Sequence, residues 1–493
     1  MKTLSSIEPL EARIAPAMLL SPTKVRYTDF DGDIVTVKFS KGEAGLENFA
    51  FVPAGRGEQL QEIFLAGDAA EFAGADLTIR VTRVVGDGSV HIGRIDAAGI
   101  DLGTVRIAGD LGRIAAGDAD VATAGLDFLK VQSLGRLGTA TQAAGEAGLA
   151  SQIAGDLGTL KIAGAMKDAS LSAMGDTNGV GGNIGSIIIR GSLKGGEGED
   201  SGTIHSTGGI GSVQIDGSII GAAGKNSGAI LSGRSLGTLT VDGSIQSGGG
   251  AGSGSIRAGE NIASIAVGDG LIGSSAQPVL LTAGGAGIGQ VWISGHVEYA
   301  KIMAGYDRAG IAINGDAQIG QIAVKGNWVA SSAVAGSISG PDGLFGTADD
   351  AIRFPHSNTV IASIATIKIA GHARGTDGPA ADHFGFVAEE IGKVKIGTRL
   401  SQLSPGPGND HDPAATQLTL GKNGDFRIME VSSLAPPPSL LAAVSRKIHG
   451  AAGAFDIDLP LSATTGLESR AGGSLTPDWI QQPFRGYAIG LQP

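Results

Sequence analysis

The first residues that could do chemistry are two aspartates one repeat apart. Asp216 and Asp242 are 26 positions apart, and Arg190 stands 26 positions before Asp216. On neighbouring strands about 5 Å apart, two carboxylates could share acid and base roles in cleaving a polysaccharide, one of them with a raised pKa. An ion pair between Arg190 and Asp216, with a solvated Asp242, explains the same residues. No histidine or lysine occupies this position in the neighbouring repeats, so the sequence favours the ion pair and predicts no catalytic residues.

A second group of aspartates suggests calcium. The segment GPDGLFGTADD, residues 340–350, combines acidic residues with glycines that allow sharp turns. Ca²⁺ takes six to eight oxygen ligands, so carboxylates, a hydroxyl and backbone carbonyls of this segment could bind it. The expected ligands are Asp342, Thr347, Asp349 and Asp350. The alternative is a solvated acidic loop in which Asp-Gly pairs merely turn the chain.

The segment DFDGD, residues 29–33, is a second acidic cluster. Asp29, Asp31 and Asp33 alternate, so they could form a calcium site. A hairpin turn at Asp31-Gly32 explains the same residues, and the sequence favours the turn. Calcium is therefore the one cofactor that the sequence suggests.

Aromatic residues are the remaining candidates for ligand binding. Trp292, Tyr299 and Tyr306 follow one another, and an exposed row of rings could stack on sugars. Trp292 is expected on an outward strand face, whereas Trp328 falls at a position of the repeat that should be buried. The sequence therefore offers Trp292 and Tyr299 as candidate contacts for a sugar ligand.

A 26-residue repeat must position all of these side chains. Apolar residues recur at offsets 0, 3, 5 and 9 of each copy, offset 4 is mixed, and glycine follows at offset 7. Period-two alternation over short β-branched runs predicts strands, and each glycine predicts a tight corner. A second short strand is expected before each copy. The copies begin at Leu157, Ile184, Ile210, Leu236, Ile262, Ile288, Ile319, Ile364 and Ile391, after poorer copies at Leu102 and Leu134.

This periodicity predicts an all-β fold, a parallel β-helix solenoid built from 26-residue coils. Right-handed winding is the expected case. Nine stacked coils between Leu157 and Thr398 would form a rod of roughly 45 Å, because strands stack about 4.8 Å apart. A β-propeller is the alternative, but its blades need about 40–50 residues each. The solenoid spans residues 91–434, with an insertion at about 338–356.

The two ends of the chain differ from the repeats. Residues 22–90 are expected to form a β-rich cap with two hairpins, at Asp31-Gly32 and from Leu77 to Ile95, and an amphipathic helix over residues 55–67. Such a cap would cover the open edge of the first coil. A Pro-rich linker is expected at residues 435–444. Residues 445–493 would then be a truncated β-module or a disordered tail, since they are too few for an ordinary sandwich core.

Composition excludes several classes of protein. The 493 residues include 83 glycines, 18 prolines and no cysteine, 42% are hydrophobic, and the formal charge is −12. The aliphatic content excludes a disordered chain, the glycine spacing excludes collagen, and the lack of cysteine excludes a disulfide framework. Nucleic acid is not an expected partner of an acidic chain without a basic run. No apolar stretch reaches the 18 residues of a transmembrane helix.

One short segment carries a resemblance. IEPLEARIAPA, Ile7 to Ala17, resembles the N-terminal export or sorting segment of large repeat-bearing, autotransporter-like β-helix proteins of planctomycete and verrucomicrobial bacteria. Residues 445–473 are similar to the opening of a β-rich module in the same proteins. The resemblance implies that residues 1–21 are an export segment and that the protein is extracellular or on the cell surface.

The sequence thus suggests a non-catalytic, exported scaffold or adhesin-like rod. Its expected partners are cell-surface or matrix components, with polysaccharide as one candidate. The alternative is a carbohydrate-active β-helix, a polysaccharide lyase or hydrolase, or a sugar-binding rod. The alternatives differ in whether Asp216 and Asp242, or Trp292, line a groove.

Overall fold

The computed structural model describes residues 17–145, 148–377, 382–411 and 418–432. They form an all-β solenoid of stacked coils, as the repeat predicts. The predicted linker at 435–444 and the predicted module at 445–493 lie outside the described residues, as does all of the export segment before Ala17.

The first face of each coil is a six- or seven-residue strand, and these strands form one long sheet. Its sixteen strands are, in order of pairing, Met18–Ser21, Lys24–Thr28, Ile34–Phe39, Ala75–Thr82, Leu102–Ile107, Leu126–Val131, Leu157–Ile162, Ile184–Ile189, Ile210–Ile215, Leu236–Val241, Ile262–Val267, Gly287–Ile293, Gln318–Val324, Ser363–Ile369, Glu390–Ile396 and Arg399–Leu400. From Ala75–Thr82 to Glu390–Ile396 all neighbours are parallel.

The second face follows the glycine corner and consists of two-residue strands. They are Ser133–Leu134, Met166–Lys167, Leu193–Lys194, Ile219–Ile220, Ile245–Gln246, Leu271–Ile272, Val297–Glu298, Trp328–Val329 and Ala373–Arg374. Leu134 and the first residues of the other eight strands are buried, and those eight first residues are the offset-9 positions of the repeats. This confirms the core position predicted for Trp328, which is 0% exposed.

The third face closes the coil before the next repeat begins. Its strands are Phe49–Ala54, Gly57–Phe64, Val90–Ala98, Gly109–Gly117, Ala150–Ala154, Ser170–Met174, Ile204–Ser206, Ile230–Ser232, Ile256–Ala258, Val279–Ala283, Ala300–Ala304, Ser332–Ala335, Phe384–Ala388, Thr419–Leu420 and Phe426–Glu430. Gly109–Gly117 pairs into both the second and the third face. A separate pair joins Ser337–Ile338 to Ala351–Ile352, and the described helices are the α-helix Ala69–Phe72 and the 3₁₀ turns Leu46–Asn48 and Gly138–Thr141.

Equivalent residues of successive repeats stack directly on one another. Ile184 pairs with Ile210, which in turn pairs with Leu236. Each aliphatic position therefore forms a ladder along the axis of the rod and is sealed from water. The nine strands that begin between Leu157 and Ile391 confirm the predicted coils. The copy placed at Leu134 is wrong, because the long-sheet strand of that coil begins at Leu126 and Leu134 lies on the second face.

Stacking also explains the glycine at offset 7. A Cβ at Gly217 would lie 2.7 Å from the carbonyl carbon of Gly191 in the coil before it. Real Cβ atoms are not found so close to backbone atoms, so a side chain here would push the two corners apart. Glycine is required at this corner by close approach of the coils, which confirms the predicted tight turn.

The cap is β-rich, but two of its predicted elements are wrong. The hairpin at Asp31-Gly32 is present, since Lys24–Thr28 pairs antiparallel with Ile34–Phe39. Residues 55–67 form no helix: Gly57–Phe64 is a strand between Phe49–Ala54 and Val90–Ala98. A register shift in this pairing buries every third residue, which imitates a helical pattern.

The second predicted hairpin, from Leu77 to Ile95, is also absent. Ala75–Thr82 continues the long sheet, whereas Val90–Ala98 belongs to the third face. The two strands therefore start two different sides of the first coil. No helix in the described part of the chain is long and apolar enough to cross a membrane.

The aliphatic ladder generates a stability prediction at a central coil. Leu239 is 1% exposed, whereas its neighbour Thr240 points outward. Leu239→Ala leaves a cavity between two coils and should lower the free energy of unfolding by about 2–5 kcal/mol. Chemical denaturation measures this, with Thr240→Ala as the control that should change stability by less than about 0.5 kcal/mol. Equal effects of the two substitutions would contradict the assigned register.

Candidate functional site

The acidic cluster of the cap lies at the turn between the first two long strands of the cap. Asp29 ends the first strand, and its Oδ1 accepts N–H groups of Gly32 at 3.1 Å and Asp33 at 2.8 Å. This turn brings the three aspartates together: Asp29, Asp31 and Asp33 each offer a carboxylate oxygen within 4.8 Å of the others. The hairpin turn and the converging carboxylates are thus both present.

Asp33 holds a neighbouring loop in place. It is fully buried, and its two oxygens accept four backbone N–H groups between 2.6 and 3.1 Å, from Val84, Val85, Gly86 and Gly88. Burial by itself raises the pKa of Asp33, but these hydrogen bonds outweigh it and the pKa is lowered. Asp33 is therefore ionised, and its acceptors are already largely used.

Four oxygens in and beside the cluster are buried without hydrogen-bond partners. Oδ2 of Asp29, Oδ1 of Asp31, Oε2 of Glu58 and the hydroxyl of Tyr27 are shielded from water and make no hydrogen bond. Asp29 and Tyr27 are each only 3% exposed. Leaving a buried acceptor unsatisfied costs about 1–3 kcal/mol, and more when it is charged. Three of these four oxygens belong to carboxyl groups, and a proton, a water molecule or a cation would satisfy them.

Burial and neighbouring acidic groups raise the pKa of two side chains in the cluster. Burial, together with the adjacent Asp31 carboxyl, raises the pKa of Asp29 to about 7. Burial and the negative charges of Asp29 and Glu58 raise the pKa of Tyr27 well above its ordinary value. The salt bridges of Arg94, Lys167, Arg190, Lys225 and Arg374 join other carboxylates. An oxygen-only, electron-rich cage of this kind suits a hard cation such as Ca²⁺.

The insertion arranges its aspartates differently. Residues 340–350 form the loop between the paired strands Ser337–Ile338 and Ala351–Ile352. Each carboxylate serves a local turn: Asp342 accepts the Leu344 N–H at 2.8 Å, and Asp349 accepts the Thr347 hydroxyl at 2.6 Å. Asp350 accepts the Gly346 N–H at 2.7 Å. Among the described residues, only the cap aspartates bring three such side chains within ligand distance.

The polysaccharide-cleaving candidates form the expected ion pair. Arg190 donates to Asp216 at 2.9 Å across two neighbouring coils. That hydrogen bond lowers the pKa of Asp216, so this carboxylate stays ionised rather than serving as a general acid. Asp242 occupies the same position of the next coil and is exposed. The arrangement is that of a solvated surface pair.

The aromatic residues do not form one row. Trp292 points outward and is 52% exposed, in a shallow groove of about 580 Å³ that it lines with Lys325, Lys368 and Lys395. Tyr299 lines a separate cleft of about 330 Å³ beside Phe345. Tyr306 is buried against Phe345, with ring centroids 6.5 Å apart, so its predicted exposure is wrong.

Sequence reasoning missed two residues of the cap cluster. Tyr27 lies on the buried side of its strand, two residues before Asp29, and the alternation of that strand could have revealed it. Glu58 lies within residues 55–67, which were expected to form a helix, so no feature of the sequence indicated that it approaches Asp29. The two residues meet because Asp29 forms a parallel bridge with Glu58.

The insertion generates a pH prediction. Burial raises the pKa of Asp350 to about 7, above its unfolded value of 3.8. The folded protein therefore binds a proton that the unfolded chain has lost, and this contribution to stability is lost as pH rises from about 4 through 7. Asp350→Asn should remove that loss, so its stability relative to the unsubstituted chain should rise by about 2.6 kcal/mol between pH 5 and pH 8.

Denaturant titrations in chelator at both pH values measure the difference. Asp349→Asn is the matched control: a hydrogen bond from Thr347 lowers the pKa of Asp349, so this carboxyl is ionised in both states from pH 5 to pH 8, and the control should keep the pH dependence of the unsubstituted chain. Parallel pH profiles for Asp350→Asn and the unsubstituted chain would show that this carboxyl does not titrate as its burial requires.

Comparisons with protein-family models, curated proteins and solved structures find no match to this chain. The resemblance carried by Ile7 to Ala17 stays a prediction, and of these residues only Ala17 is described. What the chain does must therefore be inferred from its own residues and their geometry.

Proposed function

We propose that this protein is a non-catalytic, exported β-helical scaffold, an adhesin-like rod of the bacterial cell surface or extracellular space. The observation that carries the proposal is the continuous axial core. Equivalent aliphatic residues stack from coil to coil between Leu102 and Val394, and all are sealed from water. Stacking between coils accounts for nearly every recurring residue of the repeat, and a rod requires such stacking along its whole length.

The outer surface also favours a scaffold over a hydrolase or lyase. A polysaccharide-cleaving pair would require one carboxyl with a raised pKa beside an ionised one. Asp216 instead has a lowered pKa through Arg190, and Asp242 stands in solvent. The export segment suggested by Ile7 to Ala17 and the lack of cysteine are compatible with an extracellular rod.

Calcium has a structural role in this proposal, as a clamp in the cap. Asp29 and Asp31 belong to the turn of the long-sheet hairpin, whereas Glu58 belongs to the third face. Asp31 also accepts the Asp87 N–H at 2.8 Å, from the loop that leads to the first coil. A cation bound by the unpartnered oxygens would tie these three segments together at the end of the rod.

Polysaccharide digestion tests the scaffold proposal. The purified protein is incubated with plant, algal and bacterial polysaccharides, with Ca²⁺ and with chelator, and released reducing ends are measured. No release above buffer is expected from any substrate. Release from one of them would refute the scaffold proposal, and loss of that release in Asp216→Asn or Asp242→Asn would identify the catalytic carboxylate.

Calcium titration tests the clamp. Ca²⁺ should raise the thermal midpoint and stabilise the fold by about 2.7 kcal/mol at a hundredfold excess over its Kd. Asp29→Asn/Asp31→Asn should abolish the rise, whereas the matched control Asp342→Asn/Asp349→Asn should keep it. A rise lost only in the control would move the ion to the insertion, and no rise in the unsubstituted chain would exclude a calcium clamp.

A further inference from the structure

The outward face of the long sheet is basic, although the chain as a whole is acidic. The chain has 36 lysines and arginines against 48 aspartates and glutamates. On the long-sheet strands from Lys24 to Ile396, the outward positions carry ten basic residues and three acidic ones. The basic residues are Lys24, Arg26, Lys38, Arg80, Arg106, Lys130, Lys161, Lys368, Lys393 and Lys395, and the acidic ones are Asp76, Asp127 and Glu390.

Coil stacking places many of these cations directly beside one another. Arg106 pairs with Lys130, and Lys130 with Lys161, on three successive strands. Lys368 pairs with Lys395 nearer the C-terminal end. Neighbouring strands are about 4.8 Å apart, so these charges form lines along the rod axis. The sequence contains no basic run because the residues are a whole coil apart in the chain.

These cations have no anionic partners within the described chain. None of the ten lies in a salt bridge, and all are at least partly exposed. Like charges directly opposite on neighbouring strands destabilise a sheet. Arg106 is stabilised by the Phe128 ring, 4.8 Å away, but no such ring contact is described for the seven lysines, and an external anion that bridges successive lysines would offset their repulsion.

A neutral polar stretch separates the two basic regions. Beside the basic line runs a second line of outward residues, and most of them carry a hydroxyl or amide: Thr159, Ser186, Ser212, Thr238, Ser264, Gln290, Gln321 and Thr366. Trp292 is the exposed aromatic of this stretch. Hydroxyl and amide groups can hydrogen-bond sugar hydroxyls, and the indole offers a face for ring stacking.

We propose that this face binds an acidic polysaccharide that lies lengthwise along the rod. The inference rests on the proposed scaffold function and names its ligand class. From Lys161 to Lys368 there are seven strand spacings, roughly 34 Å, so only an extended polymer can contact both basic regions. Carboxylate or sulfate groups of the polymer would pair with the lysines, while its hydroxyls and sugar rings meet the neutral stretch.

The residue types favour an acidic polysaccharide over a nucleic acid. Seven of the ten cations are lysines, which act as single hydrated charges rather than as the planar forks that arginine presents to phosphate. The described helices are single turns of three or four residues, so this face presents no helix that could enter a groove. Its single rows of hydroxyls and amides match a hydroxyl-rich chain.

Binding of polygalacturonate tests the proposal. It is measured by isothermal titration calorimetry and by cosedimentation, each at low and at high salt. The unsubstituted protein should bind this polyuronate, should not bind neutral dextran, and should bind more weakly as salt screens the charges. Lys368→Gln/Lys393→Gln/Lys395→Gln should lower the affinity about tenfold, since three exposed ion pairs of modest strength are lost. Galacturonate trimers should bind more weakly than the polymer, because they cannot span both regions.

The matched control is Lys167→Gln/Lys194→Gln/Lys225→Gln. These three exposed lysines lie off the long sheet, and both triple variants change the formal charge from −12 to −15. The control should bind like the unsubstituted chain. Equal losses in the two variants, or tighter binding of duplex DNA than of polygalacturonate at the same salt, would overturn the proposal.

Failure of this inference is distinct from failure of the scaffold function. If polygalacturonate does not bind and no reducing ends are released, the ligand assignment is wrong and the scaffold stands. If reducing ends are released from bound polymer, the scaffold is wrong whatever the affinity. The thermal midpoint of the long-sheet variant should stay at or above that of the unsubstituted protein, because removal of like charges relieves repulsion. The control loses the exposed ion pairs Lys167–Asp168 and Lys225–Glu199, so its midpoint should change little.

Discussion

The rod depends on backbone hydrogen bonds between coils that place each residue on its own equivalent. Parallel, in-register pairing makes every position of the repeat a column along the axis, about 4.8 Å per coil. An inward position must then be aliphatic in coil after coil, as Ile189, Ile215 and Val241 are. A corner must be small where coils approach closely, as at Gly217. One geometric constraint thus accounts for the aliphatic ladders and for the glycine corner together.

Buried polar groups are costly where they lack partners. The acidic cluster of the cap lies where the columns of the repeat end. There Asp29, Asp31 and Asp33 converge with Tyr27 and Glu58. Four backbone N–H groups satisfy Asp33, whereas one oxygen each of Asp29, Asp31 and Glu58 is buried without a hydrogen-bond partner. The end of a solenoid must cover an open edge, and a clamp between the hairpin and the third face is one physical solution.

The repeat could be predicted because the residues of one column recur at a nearly fixed spacing in the sequence. Offsets 0, 3, 5 and 9, the Gly217 corner and the buried Trp328 all follow from one period. The cap could not be predicted as well, because it lacks that period. Leu60 and Ile63 imitate a helix when a bulge shifts the pairing of their strand.

The candidate sites also differ in whether the sequence could predict them. The Arg190–Asp216 pair was predictable, since both residues share one column of the repeat. Glu58 was not, because a bridge between distant segments brings it to Asp29. The basic face could not be predicted from the sequence either. Lysines such as Lys368 and Lys395 stand 27 positions apart in the chain and become neighbours only when the coils stack.

A filled interior leaves only the outer faces for binding, and the columns shape what those faces can recognise. An outward column repeats one chemistry at a regular spacing, which suits a ligand that is itself a repeating chain. Arg106, Lys130 and Lys161 form such a column, and they repel one another, because no carboxylate of the described residues forms a salt bridge with them. A compact ligand could neutralise only part of this line. A polyanion of matching direction could neutralise all of it, so the spacing that builds the core also favours an elongated partner.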